Sequence, residues 1–173
     1  MKQTTLATLA AAAAIAGCAT MGGGAPGATS QVMPTKGNTA AGTVTFTQRG
    51  DKVVIAAHLS GLKPNAEHGF HVHEKGDCSS GDGMSAGGHF NPRAKQHAHH
   101  GSSERHAGDM PNIRSDANGR ASYSFESDLF TVADGPASVV GRAVVVHRDP
   151  DDYKSQPAGN SGPRIARGVV QRN

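Results

Sequence analysis

Seven side chains of metal-ligand type lie in the second half of the chain: His71, His73, His89, His97, His106, Asp109 and His147. Six of the ten histidines in the protein are among them. His71 and His73 sit in a G-F-H-V-H run, and an extended strand points alternate side chains the same way. They are thus two ligands on one rigid element. His89, His97 and His106 follow at intervals of eight and nine residues, with Asp109 three further on, a spacing that lets a loop wrap one ion. Three imidazoles and a carboxylate suit Zn(II). The strand pair with His147, at the end of a V-V-V-H run, suits a borderline metal such as Cu(II). Without a thiolate or a neighbouring Met pair, a Cu(I) storage site is disfavoured. Segments this far apart converge only by folding, so the pattern reads as a binuclear site rather than a sticky tract.

The surrounding elements must be strands. Apolar residues make up 36% and aromatics 4%, without Trp, while Gly (23) and Pro (9) are plentiful, which favours short strands and many turns. Ala41 to Gln48 alternates Val44 and Phe46 with threonines, and Lys52 to Leu59 matches it across an Arg49-Gly50-Asp51 turn. Further strands are expected at Gly69 to His73, Tyr123 to Phe125, Ala143 to His147 and Ile165 to Val170. Such a set implies an all-β sandwich or closed barrel. The connection from Glu74 to about Gly108 is too long for a passive loop, so it is expected to carry function.

The 173 residues suit one domain with a sizeable core. A net charge of +3 is too weak and dispersed to indicate nucleic acid, and it suits a small anionic substrate. Met1-Lys2 and the apolar run from Leu6 to Ile15 read as a signal segment over residues 1–17, too short to span a bilayer as a stable helix. The ending Ile15-Ala16-Gly17-Cys18 resembles a bacterial lipobox, with Cys18 lipidated and attached to a membrane; Ala19 favours the outer membrane. Residues 18–29 then form the lipidated N-terminus and a flexible tether, Gly-rich from Gly22 to Thr29, and residues 30–173 the domain. The other cysteine, Cys78, is left without an internal partner in an oxidising compartment. It is either a buried inert thiol or one that links two molecules.

G-F-H-V-H-E (Gly69 to Glu74), S-A-G-G-H-F-N-P (Ser85 to Pro92), R-H-A-G-D (Arg105 to Asp109), G-R-A-V-V-V-H (Gly141 to His147) and G-P-R-I-A-R-G-V-V (Gly162 to Val170) resemble the copper/zinc superoxide dismutase family. The resemblance runs from about residue 30 to the C-terminus. It implies a Greek-key β-sandwich or flattened eight-stranded barrel, the architecture for which that family is known, with a long metal-binding loop and a shorter channel loop. Copper is expected on His71, His73, His89 and His147, and zinc on His89, His97, His106 and Asp109, so that His89 bridges the two. Asp151 matches a carboxylate that orients one histidine of each half, and Arg164 matches a substrate-guiding arginine at the channel mouth. The implied activity is disproportionation of superoxide to oxygen and hydrogen peroxide, an antioxidant defence of the periplasm or cell envelope. The rival reading is a non-enzymatic copper- and zinc-binding lipoprotein. A monomer and a homodimer are both compatible with the family.

One departure stands out. Cys78 matches a cysteine position of bacterial members, but its usual partner is Arg167 here, so the disulfide that anchors the long loop is missing. The loop is then expected to depend mainly on metal for its order. His99 and His100 read as solvated loop residues, and His58 and His68 as structural.

Overall fold

The computed structural model describes residues 25–173. The expected signal segment and Cys18 lie outside them. Nine strands are present: β1 (Gly27–Pro34), β2 (Ala41–Arg49), β3 (Lys52–Ser60), β4 (Glu67–His68), β5 (Phe70–His73), β6 (Ile113–Arg114), β7 (Ala121–Ser127), β8 (Ala143–His147) and β9 (Arg164–Arg172). Taking β4 and β5 as one run interrupted at Gly69 gives the expected eight. No α-helix occurs among the described residues; a 3-10 turn, Met84–Ala86, lies in the long connection.

Seven strands form one antiparallel sheet in the order β5-β8-β9-β1-β2-β3-β7. The sheet curls, and the β4–β6 ladder, with β6 lying against β7, joins its two edges. The pairings of β1 with β9 and β5 with β8 bring together strands distant in sequence, as a Greek-key barrel requires. Inside, Val44, Phe46, Val53, Ile55, Phe70, Val72, Val144 and Val146 form one continuous buried cluster. Arg49 pairs directly with Lys52, so the β2–β3 turn is shorter than expected and consists of Gly50 and Asp51 alone; Gly50, at φ 60, takes the left-handed position such a turn needs.

One boundary must be corrected. Gly27, Ala28 and Thr29 belong to β1 rather than to a tether, with Ala28, Ser30 and Val32 buried. The strand hydrogen-bonds on both sides, to β2 and β9, so the domain starts at least three residues earlier than the composition suggested.

β5 and β8 position the site. Phe70 and Val72 face the core, which sends His71 and His73 to the opposite side. That outer face is buried as well, because the long connection folds back over it: His73 bridges to His89 and His71 to Asp109. His147 ends β8, at a register irregularity after Val146, and alternation puts it on the same face as Ala143 and Val145, which pair with His73 and His71.

Candidate metal centre

The seven ligand-type residues meet. His71, His73, His89 and His147 offer four nitrogens within 4.8 Å of one another, and His89, His97, His106 and Asp109 offer a second such set. All are buried, and His89 belongs to both sets.

Hydrogen bonds assign the free nitrogen on each ring. His73 Nδ1 donates to Gly87 O (2.9 Å) and His147 Nδ1 to Gly162 O (3.1 Å), leaving their Nε2 atoms facing each other at 3.4 Å. His71 Nε2 donates to Asp151 Oδ2 (2.8 Å), which leaves Nδ1 buried and without a partner. His89 Nε2 is likewise buried and unpartnered. Unsatisfied buried nitrogens of this kind are costly unless they bind something, and they point into the first set. In the second set His89, His97 and His106 bring Nδ1 to one carboxylate oxygen, Asp109 Oδ1, at 2.7, 3.0 and 3.2 Å. The other oxygen, Oδ2, accepts the backbone N–H groups of Ala98 and His106. Nitrogens alone in the first set suit copper, and N3O in the second suits zinc.

Asp151 links the two sets. Its Oδ1 accepts from His97 Nε2 at 2.9 Å while Oδ2 accepts from His71. Asn112 holds it through Asp151 N–H and Asp151 O, and the Tyr153 N–H donates to Oδ1. Gly159 packs against this carboxylate: a Cβ there would lie 1.8 Å from Asp151 Oδ1 and 2.8 Å from His97 Nε2, at φ +68. Gly159→Ala is therefore expected to displace Asp151 and weaken metal retention about 10- to 100-fold, measurable by competition with a chelator.

Protonation follows the same geometry. Burial, with His71 beside it, drives His89 down to about 3, and burial holds His73 and His147 well below the ordinary value. Burial also opposes a charge on His97, but its bonds to Asp109 and Asp151 outweigh that and carry it up to about 9. Against their own burial, hydrogen bonds from His106, His89 and His97 hold Asp109 far below the carboxylate range, and those from His71 and His97 lower Asp151. In the metal-free protein His97 thus stabilises the fold fully below its ordinary 6.5 and loses that contribution as pH rises through about 9. The two carboxylates contribute above their ordinary 3.8 and lose it in stronger acid. Zinc uptake at pH 7 should displace a proton from His97, with affinity rising up to about pH 9. Calorimetric titration in two buffers of different ionisation enthalpy checks this; identical heats would mean that His97 binds as the neutral ring.

Arg164 is half-buried and shares a cavity of about 230 Å³ with His147, Gln156 and Ser161. Its Nη1 donates to Gly83 O (2.7 Å) and Nη2 to Gly87 O (2.6 Å), which fixes the charge at the opening. His68 is buried with Nδ1 on His147 O, while His58 is exposed on β3. His99 is exposed, as expected of a solvated loop residue, while His100 is half-buried; their rings lie 3.8 Å apart, tilted by 36°, beside Tyr153.

Sequence reasoning missed the carbonyls of Gly87 and Gly162, and Asn112, because contacts through backbone atoms leave no residue-type signal. Nor did it anticipate the arginine anchors of the loop. Arg105 donates to Ser102 O and Asp109 O, Arg142 to Glu74 O, and Arg167 to Cys78 O and Ser80 O. Main-chain carbonyls held by arginines therefore brace the loop.

A curled Greek-key barrel carrying two histidine-rich ligand sets with one residue in common has the form of a candidate two-metal centre. The family model described as copper/zinc superoxide dismutase (SODC) matches residues 40–170. The chain is 45% identical over 135 residues to the Superoxide dismutase [Cu-Zn] of Paramecium bursaria Chlorella virus 1, covering 75% of this chain and 71% of that relative. It is 44% identical over 134 residues to Superoxide dismutase [Cu-Zn] 1 of Aquifex aeolicus, covering 75% and 79%. Of solved structures, a SOD-like protein from Bacillus subtilis in a double-mutant form is similar, with a TM-score of 0.75 and 34% identity, over 83% of this chain and 96% of that one. The clock protein EA4 matches with a TM-score of 0.77 and 40% identity, over 85% and 94%. The chain belongs to the copper/zinc superoxide dismutase family, which brings with it the enzyme class and the two metals, copper and zinc.

Proposed function

We propose that the chain disproportionates superoxide to oxygen and hydrogen peroxide in the cell envelope, through a copper/zinc site bridged by His89. Copper would be held by His71, His73, His89 and His147, and zinc by His89, His97, His106 and Asp109. The observation that carries this reading is His89 itself: its unpartnered Nε2 belongs to one ligand set and its Nδ1 to the other. Bound copper supplies a one-electron redox couple, and bound zinc a redox-silent charge.

The chain's own residues supply the rest. Asp151 and the Gly87 and Gly162 carbonyls hold the tautomers of His71, His97, His73 and His147, so each ring presents the nitrogen the site needs. His89, shared by the two ligand sets, would hold a proton at Nε2 when that nitrogen is free and give it up to the reduced substrate. Burial keeps the ring from also becoming a cation. Arg164 places one fixed positive charge beside the opening, which draws in the small anion.

The envelope assignment rests on the Lys2, Leu6 to Ile15 and Cys18 pattern, with a lipid anchor on Cys18 and the outer membrane preferred. Release from membranes by detergent but not by salt would support it; a fully soluble protein would count against it.

The activity is tested by metal analysis coupled to superoxide consumption on the purified protein. One copper and one zinc per chain with fast turnover that azide or cyanide inhibits is the expected result. Both metals bound without turnover would instead indicate a metal-buffering lipoprotein.

A further inference from the structure

β9 carries Arg164 and Arg167, and both guanidinium groups end on backbone carbonyls of the same loop. Arg167 Nη1 donates to Pro34 O at 2.6 Å and lies 3.5 Å from Met33 O. Its Nη2 donates to Cys78 O at 3.2 Å and Ser80 O at 3.4 Å. The side chain therefore ties β9, the end of β1 and the start of the long loop together. Among the described residues it makes no ion pair.

The loop is built upward from that base. Lys36 N–H donates to Gly81 O at 2.7 Å, and Ser85 Oγ donates to Asp77 O at 2.8 Å. At the far end, Gly87 O accepts two donors at once, Arg164 Nη2 at 2.6 Å and His73 Nδ1 at 2.9 Å. Gly87 takes the left-handed conformation at φ 73 and packs against the Glu74 side chain, so a larger residue there would be strained. A single carbonyl thus holds both the guiding charge and a ligand ring, in the same loop whose base Arg167 grips at Cys78 and Ser80.

We infer that Arg167 is a positioning residue for superoxide dismutation, a non-covalent clamp that sets the Gly87 carbonyl and, through it, Arg164 and His73. The inference rests on the proposed activity. A planar guanidinium with five donors in a fixed fork suits a cluster of carbonyls, whereas a lysine offers three donors around one point. The clamp contains no sulfur bond, so thiol reductants leave it intact. Cys78 stays a thiol packed against Ala86, Ala143 and Val145.

Copper/zinc holoenzyme of the wild type and of R167A, R167K and R167C separates the clamp from a field effect. R167A is expected to lose about tenfold in kcat/KM, as small misplacements near a reacting centre do, with a changed copper(II) paramagnetic resonance spectrum and metals still bound. R167K keeps the charge but not the fork, and should lose nearly as much. R167C, oxidised with a disulfide reagent to join Cys78, should regain activity although the charge is gone, and lose it again with dithiothreitol. The wild type should be indifferent to that reductant. R167K at wild-type activity overturns the inference, as does R167C that forms no disulfide or gains nothing from one. If R167A does not fold, the other two variants decide. A wild-type holoenzyme without turnover counts against the proposed activity instead, and the resonance spectra of wild type and R167K still test the clamp.

Discussion

Replacing His147 by alanine is expected to reduce superoxide turnover to background while one zinc per chain is retained. The geometry separates these two effects. His147 belongs to the set with His71, His73 and His89 and to no other, and its Nε2 lies 3.4 Å from His73 Nε2. The second set draws its atoms from His89, His97, His106 and Asp109, and only His89 is shared with the set that holds His147. Truncation leaves three nitrogens and an opening beside Arg164 in place of a closed four-nitrogen arrangement. His68 loses nothing, because it bonds the backbone carbonyl of residue 147. Metal analysis with stopped-flow superoxide decay measures both quantities, and loss of zinc together with activity would show that the halves are not separable.

The second large effect falls on Asp151. Asp151→Asn should lower retention of zinc, and to a lesser degree copper, by about 10- to 100-fold, the range for residues that orient metal ligands. The carboxylate accepts one ring N–H on each oxygen, from His71 and from His97. An asparagine offers one oxygen and one NH2, so one imidazole N–H must face another donor. That ring then changes tautomer and loses the nitrogen its set requires, or it turns away. His97 is the more exposed to the change, since both Asp109 and Asp151 hold it up near 9. With one carboxylate neutralised, the pH up to which zinc affinity rises should move downward from about 9. Chelator competition across pH reads both effects, and an unchanged profile would mean that Asp151 does not orient His97.

Much of this arrangement was legible in the residues. β2, β3, β8 and β9 stand out because their buried positions carry Val, Ile, Phe or Leu against polar neighbours, or run apolar where both faces are covered. β1 did not, since its inward side chains are Ala28, Ser30 and Val32, two of them too small to mark a face, within a Gly-rich stretch that reads as a tether. β4 and β6 are two residues each, below the length at which alternation exists. Site residues were legible by chemical type, because imidazole and carboxylate spacing carries the metal chemistry directly. The Gly87 and Gly162 carbonyls carry no such mark, and Arg167 read as the loss of a crosslink. Its contacts are all to main-chain oxygens, which only the folded chain brings together.

The shared imidazole is the centre of the account, and magnetic coupling across it is the most direct test. With Cu(II) in the set of His71, His73, His89 and His147 and Co(II) in place of zinc on His89, His97, His106 and Asp109, the single unpaired electron of Cu(II) and the high-spin Co(II) ion should couple through the His89 ring. The Cu(II) resonance signal is then expected to be quenched, and to return when cobalt is replaced by zinc. An undiminished Cu(II) signal with both ions bound would contradict a site joined at His89.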